Sequence, residues 1–164
     1  MQGRFDEAEA VLMSAPAVAP LRGAIVAPMS YADAVPLALA LVKLDRKEPA
    51  AALALLPPEQ GDIDDYPFQD RRLLRGAALC ALGRSLEGLP LMETHTDAVA
   101  RESYAYHPHL AYWRATTGLC ALDAGDRGRA VELAALAREA FMRQPGVSPY
   151  YKTQLALLDR RLGQ

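Results

Sequence analysis

A chain of 164 residues, with 51% hydrophobic and 23% charged side chains, can bury a sizeable core and is short enough to be read as one domain over 1–164. Its formal charge of -2 excludes the basic footprint of a general nucleic-acid binder, and no apolar run reaches the roughly 20 residues that a membrane-spanning helix needs. Alanine and leucine dominate the apolar content against three Phe and one Trp, a balance that favours helices over strands.

Eight helices are expected in chain order. The first covers about 4–14, where Phe5, Ala8, Val11 and Leu12 fall at helical spacing, and Pro16 and Pro20 end it ahead of a loop over 15–30. Two helices follow at about 31–45 and 48–56, separated by Asp45-Arg46-Lys47, with Pro49 in the first turn of the second and Pro57-Pro58 as its stop. An acidic loop over 59–65 precedes a helix at about 68–83, whose partner at 85–101 begins after Gly83-Arg84. The next pair is expected at 108–124 and 127–143, with Pro108 in a first turn and Gly125-Asp126 at the hinge. Ser148 reads as an N-cap and Pro149 as a first-turn proline, opening a last helix over 149–162 that Gly163 ends. Cys80 and Cys120 lie in apolar helical stretches and are expected to be small buried hydrophobes outside any disulfide framework. Asp6, Glu7 and Glu9 stand where a secretory signal would carry its apolar stretch, so a soluble, cytoplasmic protein is expected.

Small residues recur in one order. Gly76, Gly83 and Gly88 are matched by Gly118, Gly125 and Ala130, and a weaker copy runs Ala40, Lys47, Ala52. This spacing resembles tetratricopeptide (TPR) repeats, in which a small residue sits where the first helix is closely approached, a Gly at the turn and a small residue where the second helix crosses. The copies lie 36 and 42 residues apart, against about 34 in the family. Arg75 and Thr117 stand where the family prefers a large aliphatic, and Leu79 and Ala121 where it has an aromatic. The resemblance implies an all-α, right-handed stack of about three helical hairpins, an α-solenoid with weak repeats near 31–56, 68–101 and 108–143 and a C-terminal capping helix. Gly3 to Ala10 looks like the second half of a further repeat, so the chain reads either as the C-terminal interaction module of a larger bacterial-type regulator or as a domain opening on an ordinary capping helix.

In the family, first helices line a concave groove. That register carries over to Leu37 and Leu41, to Asp70, Leu73, Leu74 and Ala77, and to Tyr112, Ala115, Thr116 and Leu119, with Leu73, Tyr112 and Leu119 as anchors. The Lys and Asn residues that clamp a terminal carboxylate in some TPR domains have no counterparts, so the groove suits an amphipathic helix or apolar peptide, including a segment of the same polypeptide. Self-association through Phe5, Val11 and Leu12 would make a homo-oligomer instead. Arg71, Arg72 and Arg75 share one side of a helix and could grip an anionic group or pair with Asp62, Asp64 and Asp65. His107 and His109, with His95 or an acidic side chain as a third ligand, are metal candidates, but Pro108 directs their rings apart, and the alternative is a helix entry beside Tyr106, Tyr112 and Trp113. No cofactor, metal or catalytic set is expected, because the motifs of hydrolases, metalloproteases and phosphate-binding loops are absent from the sequence. A small helical enzyme or metal-dependent protein is the alternative of a different class.

Overall fold

The computed structural model describes residues 2–14, 31–56, 71–101 and 106–163. Among them it is all-helical: α1 (Gln2–Ser14), α2 (Tyr31–Asp45), α3 (Pro49–Ala54), α4 (Arg71–Ala81), α5 (Ser85–Arg101), α6 (Pro108–Asp123), α7 (Arg127–Arg143) and α8 (Pro149–Leu162). The expected loops at 15–30 and 59–65 and residues 68–70 lie outside the described residues. Local chemistry accounts for the boundaries. Pro49, Pro108 and Pro149 open three helices where a missing N–H leaves no bond unmade, and Asp126 and Ser148 cap α7 and α8 by accepting the backbone N–H of Arg129 and Tyr150.

The three hairpin turns share one backbone solution. Lys47, Gly83 and Gly125 take positive φ of 64°, 78° and 88°. In each, the following N–H reaches back five residues: Glu48 to the Lys43 carbonyl at 2.9 Å, Arg84 to Leu79 at 2.9 Å and Asp126 to Ala121 at 2.8 Å. This is the Schellman closure of a helix C-terminus, which satisfies carbonyls that the helix leaves unpaired. Glycine enters the left-handed region without a Cβ penalty; lysine does not. Lys47→Gly is therefore expected to stabilise the chain by about 0.5–1 kcal/mol, read as a Tm rise of a few degrees, with no rise for Lys47→Ala.

Each helix packs on the next in the chain, and the even-numbered helices α2, α4, α6 and α8 also touch in succession. The closest approach is that of α4 on α5. A Cβ on Gly88 would lie 2.5 Å from the Gly76 carbonyl oxygen, and one on Gly76 would lie 2.7 Å from that of Gly88, so the paired small residues of the repeat mark backbone touching backbone. At the third hairpin Gly118 instead makes room for Leu158 of α8, which is fully buried. One core cluster gathers α2, α3 and α4 with Met92, Tyr112 and Trp113, and a second gathers the alanine stripe of α7 with α6 and α8. Burying a leucine such as Leu56, Leu73 or Leu158 contributes about 1.5–3 kcal/mol, and these set the packing.

Charged side chains hold the outer helices in place. Lys43 and Arg46 of the α2 end reach Glu9 of α1 at 2.9 and 3.0 Å, and Arg46 also reaches Asp6 at 2.7 Å. Arg129 of α7 joins Glu93 of α5 at 2.7 Å. At the far end Arg127 donates to the Leu162 carbonyl at 2.7 Å, while Arg138–Asp159 at 2.7 Å and Arg161–Asp123 at 2.6 Å fix α8 against α7 and α6.

The cysteines differ from the sequence expectation. Cys80 of α4 and Cys120 of α6 form a disulfide with Cα atoms 5.5 Å apart. The sequence shows two apolar cysteines 40 residues apart; packing α4 beside α6 brings them within bridging reach.

Candidate binding groove

Helices α2, α4, α6 and α8 surround a cavity of about 320 Å³. It lies on the face formed by the even-numbered helices. Leu41 and Leu44 of α2, Ala77 of α4, Leu119 of α6 and Leu157 of α8 supply apolar walls, and the Cys80–Cys120 disulfide crosses between α4 and α6 at the same surface. Tyr112 and Trp113 also line it, buried to within a few per cent of their surface. Asp45, Lys47, Asp123, Gln154 and Arg161 form its polar part.

An aromatic cluster stands on one side. Tyr112 stacks on Tyr150 with ring centroids 5.5 Å apart and planes at 13°, and both meet Tyr151 edge-on. The Tyr150 hydroxyl donates to Asp45 Oδ2 at 3.0 Å, linking α8 to the end of α2. Burial raises the Asp45 carboxyl above the usual carboxylate range, opposed by the phenol hydrogen bonds and the Lys47 charge. Burial likewise raises the Tyr112 and Tyr150 hydroxyls, so both remain neutral donors. The Trp113 indole N–H is buried with no hydrogen-bond partner among the described residues.

The residues selected from sequence divide between this surface and the core. Leu41, Ala77, Tyr112, Thr116 and Leu119 line the cavity. Leu37, Leu73, Leu74 and Ala115 are instead buried side chains at 3%, 0%, 4% and 0% exposure, so they hold helices together and offer a partner nothing to touch. Asp70 lies outside the described residues. Arg71, Arg72 and Arg75 are away from the cavity; Arg75 Nη1 donates to the Leu56 carbonyl at 3.0 Å, and the acidic partners expected at 62, 64 and 65 lie outside the described residues. Sequence reading missed Asp45 at the end of α2, and it missed Tyr150, Gln154, Leu157 and Arg161, which reach the cavity or its edge through the docking of α8 on α6.

His107 and His109 serve the entry of α6. His107 Nδ1 accepts the His109 backbone N–H at 3.2 Å, which caps the helix. Tyr106 sits apart from the cavity, its hydroxyl 3.3 Å from Glu139 and its ring 4.1 Å from the Arg143 guanidinium carbon. Among the described residues no group of three His, Cys, Asp or Glu is placed to hold a metal ion. His109 packs edge-on against Trp113 and Tyr151, and burial, with smaller effects from His107 and His95, lowers its pKa to about 4. An imidazole that stays neutral in the fold but protonates near 6.5 when unfolded stabilises the fold fully above pH 6.5; that stability is lost as pH falls from 6.5 through about 4. The loss amounts to at most about 3 kcal/mol, and His109→Gln should flatten the pH 7-to-4 slope of denaturant stability by a comparable amount; an unchanged slope would refute this role.

Comparison with protein-family models, with curated proteins and with solved structures returns no match for the chain. Among the described residues no helix is long and apolar enough to cross a membrane.

Proposed function

We propose that the chain is a protein-interaction module, a TPR-like right-handed stack of three helical hairpins closed by α8, that takes a segment of a protein partner into the groove of α2, α4, α6 and α8. The observation that carries this reading is the cavity itself, whose apolar walls come from the first helices of all three hairpins. The shared turn geometry at Lys47, Gly83 and Gly125 supports the repeat assignment. The module works without catalysis of its own, as an adaptor or as the binding part of a larger regulator.

Selection of peptides from a displayed random library on the immobilised chain tests this. Selected peptides are expected to perturb the amides of Leu41, Ala77, Thr116 and Leu119 in NMR titrations and to lose binding at least about tenfold with Leu157→Glu, whose side chain lines the cavity while 37% exposed. Perturbations confined to other faces, or full retention by that variant, would overturn it. A second reading rests on Val11 and Met13 of α1, exposed at 67% and 71%. A second copy sealing them would make the chain a dimer in sedimentation and Val11→Lys a monomer; a wild-type monomer at all concentrations removes it.

A further inference from the structure

Asp45 is a groove carboxylate without a direct ion-pair partner among the described residues, and Lys47 acts on it only as a nearby charge. Among the described residues, no ammonium or guanidinium nitrogen lies within ion-pair distance of it, whereas Asp123 on the opposite wall holds Arg161 at 2.6 Å. Lys47, two residues on, also lines the cavity and its charge acts on Asp45, but it is exposed and forms no ion pair among the described residues. The Asp45 oxygens meet neutral donors only, the Tyr150 hydroxyl at 3.0 Å and the Tyr112 hydroxyl. Phenols supply hydrogen bonds without cancelling charge, so among the described residues the half-buried Asp45 carboxylate beside leucine walls has only the unbonded Lys47 charge to offset its own.

Its surroundings define the group that would complete it. Leu41 and Leu44 of the same helix and Leu119 of α6 form an apolar lining beside the carboxylate, while the Tyr112 ring is 5% exposed and stacked on Tyr150. A ligand group with a positive head and an aliphatic stem matches both parts: the head gains a charge-assisted hydrogen bond, and the stem covers apolar surface. An acidic or purely apolar group would leave the Asp45 charge worse off or unchanged. We propose that the groove is specific for a lysine side chain of the partner peptide, its ammonium seated on Asp45 and its methylenes along Leu41, Leu44 and Leu119. This inference rests on the groove being the partner-binding surface.

Three probes of equal length separate the two statements: hexylammonium, hexanol and hexanoate, each titrated into the full chain and followed by amide NMR shifts. Hexylammonium is expected to bind at the groove at least about fivefold more tightly than hexanol, with hexanoate weakest. Asp45→Asn should bring hexylammonium to the level of hexanol while leaving hexanol unchanged, and Lys47→Ala should strengthen hexylammonium by removing a like charge. Hexanol equal to hexylammonium in the wild type would overturn the lysine assignment and leave the groove standing. Tightest binding of hexanoate would overturn it in favour of an anion held by Lys47. Absence of groove shifts with all three would overturn both the assignment and the groove. The wild-type order decides the matter even if Asp45→Asn fails to fold.

Discussion

Substituting Cys80 and Cys120 together with alanine should lower stability by about 3–4 kcal/mol and Tm by about 10 °C. The bridge closes a loop with a sequence separation of 40 residues. Most of its stabilisation comes from restricting the unfolded chain, which in the loop-closure picture depends on loop length rather than on local contacts. Wild-type protein in a strong reductant should approach the variant, and the variant should not respond to reductant at all. Two titratable thiols in the unreduced native protein, or a wild-type Tm that ignores reductant, would show that the bridge does not form in solution. Because Cys80 and Cys120 both line the cavity, the same reduction is expected to weaken the proposed peptide binding more than breaking the Arg129–Glu93 ion pair, which lies away from the cavity, would.

Gly88→Ala should destabilise by about 2 kcal/mol despite the gain of about 1 kcal/mol in helix propensity that alanine brings. The added methyl would meet the Gly76 carbonyl oxygen at 2.5 Å and the Cys80 sulfur at 2.6 Å, and a backbone oxygen cannot swing aside. Gly76→Ala should behave alike, and the double variant should lose less than the sum, since one separation of α4 from α5 accommodates both methyls. Gly118→Ala is the contrast. Its methyl meets the tip of Leu158, a flexible end, and the nearest backbone oxygen is 3.5 Å away, so a rotamer change absorbs most of the clash. Equal losses at Gly88 and Gly118 in denaturant melts would show that backbone contact is not what these glycines serve.

These glycines also show what was legible in the sequence. Helix limits were readable because prolines, caps and turn glycines act within a few residues, and the small-residue order pointed to the α4–α5 contact and the shared turns. Lys47 could be matched to Gly83 and Gly125 by position although its chemistry differs, because the hydrogen bonds of the motif are all backbone. Groove and core were not separable in the same way. Leu37 and Leu41 lie one helical turn apart on α2, yet one is core and the other cavity wall; on a helix apolar on most sides, periodicity does not say which leucine meets a neighbour. The disulfide and the Tyr150–Asp45 contact were hidden for a further reason. Each depends on where distant helices come to rest, the latter across 105 residues of chain.

The turn at Lys47 gives the groove walls unequal stiffness. On the α4–α6 side a covalent link joins helices of 11 and 16 residues. On the other side α2 runs into a left-handed lysine and then into α3, only six residues long and far below the length at which a helix holds its own shape. The α2 arm, which carries Leu41, Leu44 and Asp45, is therefore expected to open before the bridged pair, read as faster amide exchange in α2 than in α4 and α6. A ligand entering there would meet the carboxylate at the moving edge, and seating on it would tighten the looser half of the molecule against the fixed one.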